Sequence, residues 1–338
     1  THRHSCPLSC PLAPAHPDRS THMNTPPPTD PTHTYAHWGH PHTHLLGQGM
    51  EGTVHHLGPG PLGTDLIAKA WHTKTPTELR PLQAFYEELA AQHLPFDTPR
   101  ILHIRHRHTT TITIEPHLPG TALDTHLAQG TLTHTQAQDT LTQVLNALSH
   151  THAGEATRAL PVLDEEDPLW KGHTTFPHAL AALVQRRTHR FTPSLTTALP
   201  DLPHLLQALL ERLTRLPERP TRIVHGDLCP PNVLATPQGA PTAVLDWGFV
   251  TTAADHPFDA ATAAGFYDMY GPRARSFDDA LLDRWVGERG PERDRALLYR
   301  AAYALAGANA YSPDGRDGHF DWCVRLLRRP DVRGVLGS

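Results

Sequence analysis

Hydrophobic and polar positions change period near residue 117. Before it they come in short strand-like runs; after it they recur at helical spacing. Residues 44–57 read as strand, glycine loop, strand. Leu66, Ile67, Ala68, Lys69, Ala70 and Trp71 form a third strand behind a turn rich in glycine and proline. Leu82, Phe85, Tyr86, Leu89 and Ala90 then share one helical face. Thr75 and Glu78 have the spacing of a capping box, but Pro81 places the start of the regular helix at itself. Residues 100–105 and 109–115 read as two more strands, closed by Pro116, Pro119 and Gly120.

From residue 121 the pattern is helical with proline stops. One helix over 132–150 is carried by Leu141, Val144, Leu145 and Leu148, and others are expected over 179–190, 202–216, 260–270, 278–286, 293–310 and 320–327. The expected fold class is α+β: a small antiparallel-sheet region over 35–117 and a larger, mainly helical one over 118–338. Residues 1–34 are rich in Pro, Thr and His and show no period, so they are expected to be a disordered tail, with Met23 opening a more usual beginning.

Composition narrows the classes. A chain of 338 residues with 38% apolar residues supports two lobes with real cores. A formal net charge of -5 argues against a nucleic-acid partner. Apolar runs such as 179–184 are too short to span a bilayer, no signal-peptide core is evident, and Cys6, Cys10, Cys229 and Cys323 form no CxxC pair. A cytoplasmic protein without membrane or disulfide framework is expected. His33, His37, His40, His42 and His44 invite a metal reading, but the 28 histidines are spread along the whole chain, so composition alone explains them.

Gly47, Gly49 and Gly52 fit GxGxxG, with Val54 two residues later. Glycine lets backbone amides approach phosphate oxygens. A dinucleotide-binding fold requires a helix directly after this loop. Here strand, turn and strand follow, which suits a hairpin laid over phosphates. Lys69 on the third strand is then the cation for the α- and β-phosphates. Its acidic partner stays open: Glu87 and Glu88 lie at suitable distance but off the apolar helical face, and Gln83 is a substitute. The strand ending at Glu115 and running into His117 reads as a connection between lobes, where backbone groups of Glu115 and His117 meet an adenine edge.

The densest chemistry lies in 223–248. Asp227, Asn232 five residues on, and Asp246 after a hairpin-sized gap each follow or precede a short apolar run. Acid, amide and acid together can hold metal ions and accept a proton, as phosphoryl transfer from a metal-bound nucleotide requires. His225, Gly226, Asp227, Leu228, Pro230, Asn232, Val233 and Leu234, then Val244, Leu245, Asp246, Trp247 and Gly248, then Asp255, Pro257, Phe258 and Asp259 resemble the aminoglycoside phosphotransferase family. The resemblance extends from about Leu46 to the C-terminus. It implies a bilobal protein-kinase-like fold, with ATP and Mg²⁺ as cofactors. It also implies that Asp227 receives or hydrogen-bonds the proton of the attacking hydroxyl, that Asn232 and Asp246 bind Mg²⁺, that His225 braces the loop, and that Asp259 supports it.

Two departures from protein kinases point to a small-molecule hydroxyl as acceptor. Gly226 stands where protein kinases carry Arg, and only a short run separates Asp246 from Asp259, with no room for a peptide-binding segment. Acceptors in this superfamily include aminoglycosides, other antibiotics, choline and homoserine. Asp164, Glu165, Glu166 and Asp167 beside Trp170, and the later run of Asp278, Asp279, Asp283, Glu288 and Glu292, mildly favour a cationic acceptor, against the plainer reading of solvated acids. An inactive pseudokinase would lack one of Lys69, Asp227, Asn232 or Asp246, and all are present. A protein kinase is the other alternative. Oligomeric state is left open.

Overall fold

The computed structural model describes residues 32–49, 51–60, 63–107 and 109–337. The expected tail therefore lies outside the described residues as far as 31. Its last positions differ from expectation: Thr32–His37 is a helix. Tyr35 anchors that helix, fully buried against Leu57, Leu66, Ala68, Ala70, Ile112 and Ile114, with Trp38 packed beside it. A helix this short has little stability of its own, so tertiary burial forms it.

The chain divides into two compact units. The first takes the chain to Leu132 together with Pro231–Asp246; the second is Thr133–Pro230 with the chain from Trp247 onward. The first holds a five-stranded antiparallel sheet of β1 (His44–Gln48), β2 (Gly52–Pro59), β3 (Asp65–Trp71), β4 (His103–Arg107) and β5 (Thr110–Pro116), in the order β1-β2-β3-β5-β4. Alternation decides its faces. Leu66, Ala68 and Ala70 of β3 join Ile112 and Ile114 of β5 in the apolar core with Tyr35. Ile67 and Lys69 therefore point to the other face.

Helix Pro76–Ala90 follows β3 and starts earlier than expected. Both halves of the Thr75–Glu78 capping box form, and Pro81 lies inside the helix. Pro81 comes early in the helix, where the capping box already fixes the first turn, so the hydrogen bond it cannot donate is tolerated. Leu79, Leu82, Phe85, Tyr86 and Leu89 form the buried face.

The first unit also extends past the expected boundary at residue 117. Strands Thr121–Ala122, Val233–Ala235 and Pro241–Val244 make a second small sheet. The Asp97 N–H donates to the Thr242 carbonyl (2.8 Å), the Val244 N–H donates to the Asp97 carbonyl (3.1 Å), and His126 Nε2 meets the Ala235 carbonyl at 3.1 Å. These bonds join segments more than a hundred residues apart, which composition does not reveal.

The second unit is built on helices His134–Leu148, Phe176–Arg190, Leu202–Thr214, Pro257–Phe266, Ala274–Val286, Pro291–Gly307 and Gly318–Leu327. They match the expected helices to within a few residues at each end. Pro291–Gly307 is buried from Arg295 onward, as its run of alanines foretells. Two short strands, Arg222–Val224 and Thr252–Ala254, pair antiparallel and flank residues 225–251 in sequence. Among the described residues, no helix is long and apolar enough to cross a membrane.

Candidate active site

In the first unit the site grows from the β1–β2 turn. The Gly49 N–H donates to the Gly52 carbonyl at 2.9 Å, closing the loop. A side chain at Gly52 would put its Cβ 2.1 Å from the Ala70 carbonyl oxygen, so close packing on β3 requires glycine there. Gly47 pairs with Val54 across the hairpin, and Val54 pairs with Lys69 across β2 and β3. The glycine loop, Val54 and Lys69 are thus tied together by one ladder.

Lys69 Nζ lies 2.8 Å from Glu51 Oε2, 4.0 Å from Asp246 Oδ1, and 3.8 Å from the centre of the Trp71 ring. Lys74 Nζ reaches Glu51 Oε1 at 3.0 Å. The partner left open by the sequence is therefore Glu51, inside the glycine motif, and not Glu87, Glu88 or Gln83. Gln83 instead donates to the Ile101 carbonyl at 2.9 Å. Gly52 pairs with Trp71 and the His72 N–H donates to the Glu51 carbonyl at 2.9 Å, so Glu51 stands just past the end of β3, from where its side chain reaches Lys69. A search confined to helical acids misses it. Burial works against the Glu51 charge, but Lys69 and Lys74 outweigh it and lower the carboxyl to about 2. Burial likewise opposes the Lys69 charge, and Glu51 with Asp246 outweighs it, raising the ammonium above its ordinary value.

Glu115 is buried and accepts from Thr113 Oγ1 at 2.6 Å, and Thr113 in turn accepts from Trp71 Nε1 at 3.1 Å. Burial pushes its carboxyl up, against the opposing Thr113 bond and Lys69 charge. The expected adenine contact through the His117 N–H needs correction. That N–H already donates to the Asp65 carbonyl at 2.8 Å, because the β3–β5 ladder runs on past Pro116.

Asn232 and Asp246 are brought to the same end of a hairpin. Val233 pairs with Val244, and the Leu245 N–H donates to the Asn232 carbonyl at 2.8 Å. Asp246 has a left-handed backbone, φ +60°, which for a non-glycine residue stores strain. Burial raises its carboxyl, with Lys69 opposing.

Asp227 belongs to the second unit, in a loop braced from several sides. Asp259, fully buried at the start of helix Pro257–Phe266, accepts the His225 N–H at 2.8 Å and the Gly226 N–H at 2.7 Å, one on each oxygen. Burial raises its carboxyl to about 6 in spite of those two bonds. The Asp227 N–H donates to His225 Nδ1 at 3.2 Å, and Thr251 Oγ1 donates to the His225 carbonyl at 2.9 Å. The His225 ring packs on Trp247, with centroids 4.5 Å apart. Gly226 takes φ +76°, and an added Cβ would lie 2.6 Å from the Val250 carbonyl oxygen. Any side chain, arginine included, is excluded there by the backbone. Cys229 is buried.

The profile of the phosphotransferase enzyme family matches residues 42–299 of this chain. The chain belongs to that family. A structure of an aminoglycoside 2'-phosphotransferase of type IIIa with GDP is 16% identical to this phosphotransferase and has a TM-score of 0.55, covering 85% of this chain and 89% of the other. A GDP and kanamycin complex of a related enzyme is also 16% identical, with a TM-score of 0.52, covering 85% and 90%. No curated protein matches the sequence. At these identities the likeness speaks for the fold alone, and that fold is the bilobal, protein-kinase-like α+β fold implied by the sequence.

The acidic stretches of the phosphotransferase have a structural use that the sequence did not show. Asp164 pairs with Arg187 and Arg190, Glu165 with Arg186, and Asp167 with Lys171. Trp170 is covered by the Arg158 guanidinium at 4.0 Å, and its indole N–H donates to the Ala253 carbonyl. Asp278 pairs with the buried Arg300 and with Arg329, Asp283 with Arg293, and Glu292 with Arg219. Most of these acids are thus paired with basic side chains of the chain itself.

Proposed function

We propose that this phosphotransferase moves the γ-phosphoryl group of ATP to a hydroxyl of a small molecule, an aminoglycoside-like antibiotic or a hydroxyl metabolite. The observation that carries the reading is the ion pair of the part-buried Lys69 with Glu51 of the glycine loop, beside Asp246. A lysine held charged and aimed by an acid is what α- and β-phosphates need.

The donors fit a hard divalent cation such as Mg²⁺. Asn232 contributes an amide oxygen and Asp246 a carboxylate at one hairpin end, the first buried and the second part-buried. Burial raises the Asp246 carboxyl, with Lys69 opposing and Glu51 adding to the rise. When bound, Mg²⁺ would neutralise charge on the nucleotide phosphates. The protein's own part is then positioning. The glycine loop and Lys69 hold the phosphates, Val54 and Glu115 line the nucleotide side, and Asp227 takes the proton of the attacking hydroxyl. Asp259 and His225 hold the Asp227 loop.

The test is a phosphoryl-transfer screen with γ-labelled ATP and GTP across kanamycin-type antibiotics and hydroxyl metabolites, with Asp227→Ala as the blank. Label moved to an acceptor by the parent and not by the variant supports the proposal. Nucleotide binding without transfer to any acceptor would favour the pseudokinase.

A further inference from the structure

One cluster of metal-binding side chains lies apart from Asn232 and Asp246. His56 comes from β2, Asp65 opens β3, and His117 follows β5. One nitrogen from each histidine and one Asp65 oxygen all lie within 4.8 Å of one another. His56 Nε2 is 3.5 Å from Asp65 Oδ2, and the His56 and His117 rings stand edge to face with centroids 5.4 Å apart. The His44 ring on β1 also packs on His56, with centroids 4.9 Å apart.

The backbone fixes this grouping. The His117 N–H bond to the Asp65 carbonyl, described above, joins two of the three positions directly. His56 pairs with Ile67 two residues from Asp65, and the ladder shifts register between His56 and Gly58. Three strands of an existing sheet thus present the ligands, and little ordering remains on binding. Asp65 and His117 are exposed, which leaves an entry path.

The donor chemistry selects the ion. Two imidazole nitrogens and one carboxylate oxygen suit a borderline cation that accepts four ligands, not Mg²⁺. We infer that His56, Asp65 and His117 bind one zinc-class transition-metal ion, clasping β2 and β3 to the chain that leaves β5. His44 or water completes the set. Of the histidines over 33–44, His44 packs against the cluster.

Cobalt(II) titration of the full chain, stripped of metal beforehand, tests this. One tight equivalent with the visible absorption of a four-coordinate ion is expected, displaced by zinc. His56→Gln, Asp65→Asn and His117→Gln should each weaken that equivalent by more than about 100-fold, beyond the loss typical of an outer hydrogen-bond partner. His103→Gln, on exposed β4, should keep it. Metal-free Tm should be the same in parent and variants, and zinc should raise only the parent and His103→Gln. Ring nitrogen shifts in the unsubstituted protein give a check independent of variant folding: one equivalent of zinc must move those of His56 and His117. A tight equivalent retained by both glutamine variants, unmoved ring signals, or no tight equivalent in the parent overturns the inference.

Discussion

Glu51 and Lys69 are joined at 2.8 Å although they belong to different parts of the sheet, one to the glycine loop and one to β3. The acid that pairs with Lys69 thus rides on the glycine loop itself. Loop position and lysine orientation become one variable.

Removing that acid should cost catalysis directly. Glu51→Ala is expected to lower kcat/KM by about 10- to 100-fold, the value of one charge-assisted hydrogen bond. Glu88→Ala should leave it unchanged. Steady-state kinetics on both variants decide the matter, and the reverse ranking would return the role to the helix.

Asp227→Ala should keep nucleotide affinity and reduce turnover by roughly 10² to 10⁴, the range for a lost general base. Near-normal turnover in a folded variant would remove Asp227 from that role.

Asp246→Ala should weaken nucleotide binding in the presence of Mg²⁺ and change it little without the ion. Calorimetry compares the two. Equal affinity for the Mg²⁺ complex in variant and parent would reject Asp246 as a ligand.

Asp259 separates activity from stability. Its carboxyl titrates at about 6 in the folded chain, against an ordinary value of 3.8. Between those values the folded chain holds a proton that the unfolded chain has released. This group therefore favours folding increasingly as pH falls through 6, levelling off below 3.8. Protonation nevertheless spoils one of two oxygens that accept backbone N–H groups. Activity should fall with an apparent pKa near 6 while this group lowers no Tm. In Asp259→Asn that acid limb should vanish from a lower baseline. A flat parent profile through this window would contradict the assignment.

Gly226→Ala meets both a left-handed backbone and the Val250 carbonyl. A loss of about 1–3 kcal/mol from backbone strain alone is expected, with the steric contact adding to it. Chemical denaturation measures it, and an unchanged midpoint would mean the loop relaxes freely.

Much of this was legible because local pattern and chemistry agree. The acid, amide and acid of the catalytic stretch sit beside short strands that the sequence marks by apolar runs. The β2–β3 hairpin after the glycines separated this loop from a dinucleotide fold. What escaped notice depends on register and distant pairing. Glu51 lies between the glycines of the loop, and nothing in its local spacing marks it as the partner of Lys69. His117 looked like a free hinge amide until the β3–β5 ladder was seen to pass Pro116. Asp164 and Asp278 looked like solvated acids because their arginine partners are remote in sequence.

The partition of the chain also bears on its inheritance. The first compact unit reclaims Pro231–Asp246 from within the sequence of the second. Asn232 and Asp246 thus travel with the glycine loop in three dimensions, yet with Asp227 in the gene. A single recombination at residue 132 would hand the nucleotide sheet a foreign hairpin. Only an exchange that moves 231–246 together with the first 132 residues would transplant the unit whole. Shuffling between relatives is expected to tolerate the second kind of crossover far better than the first.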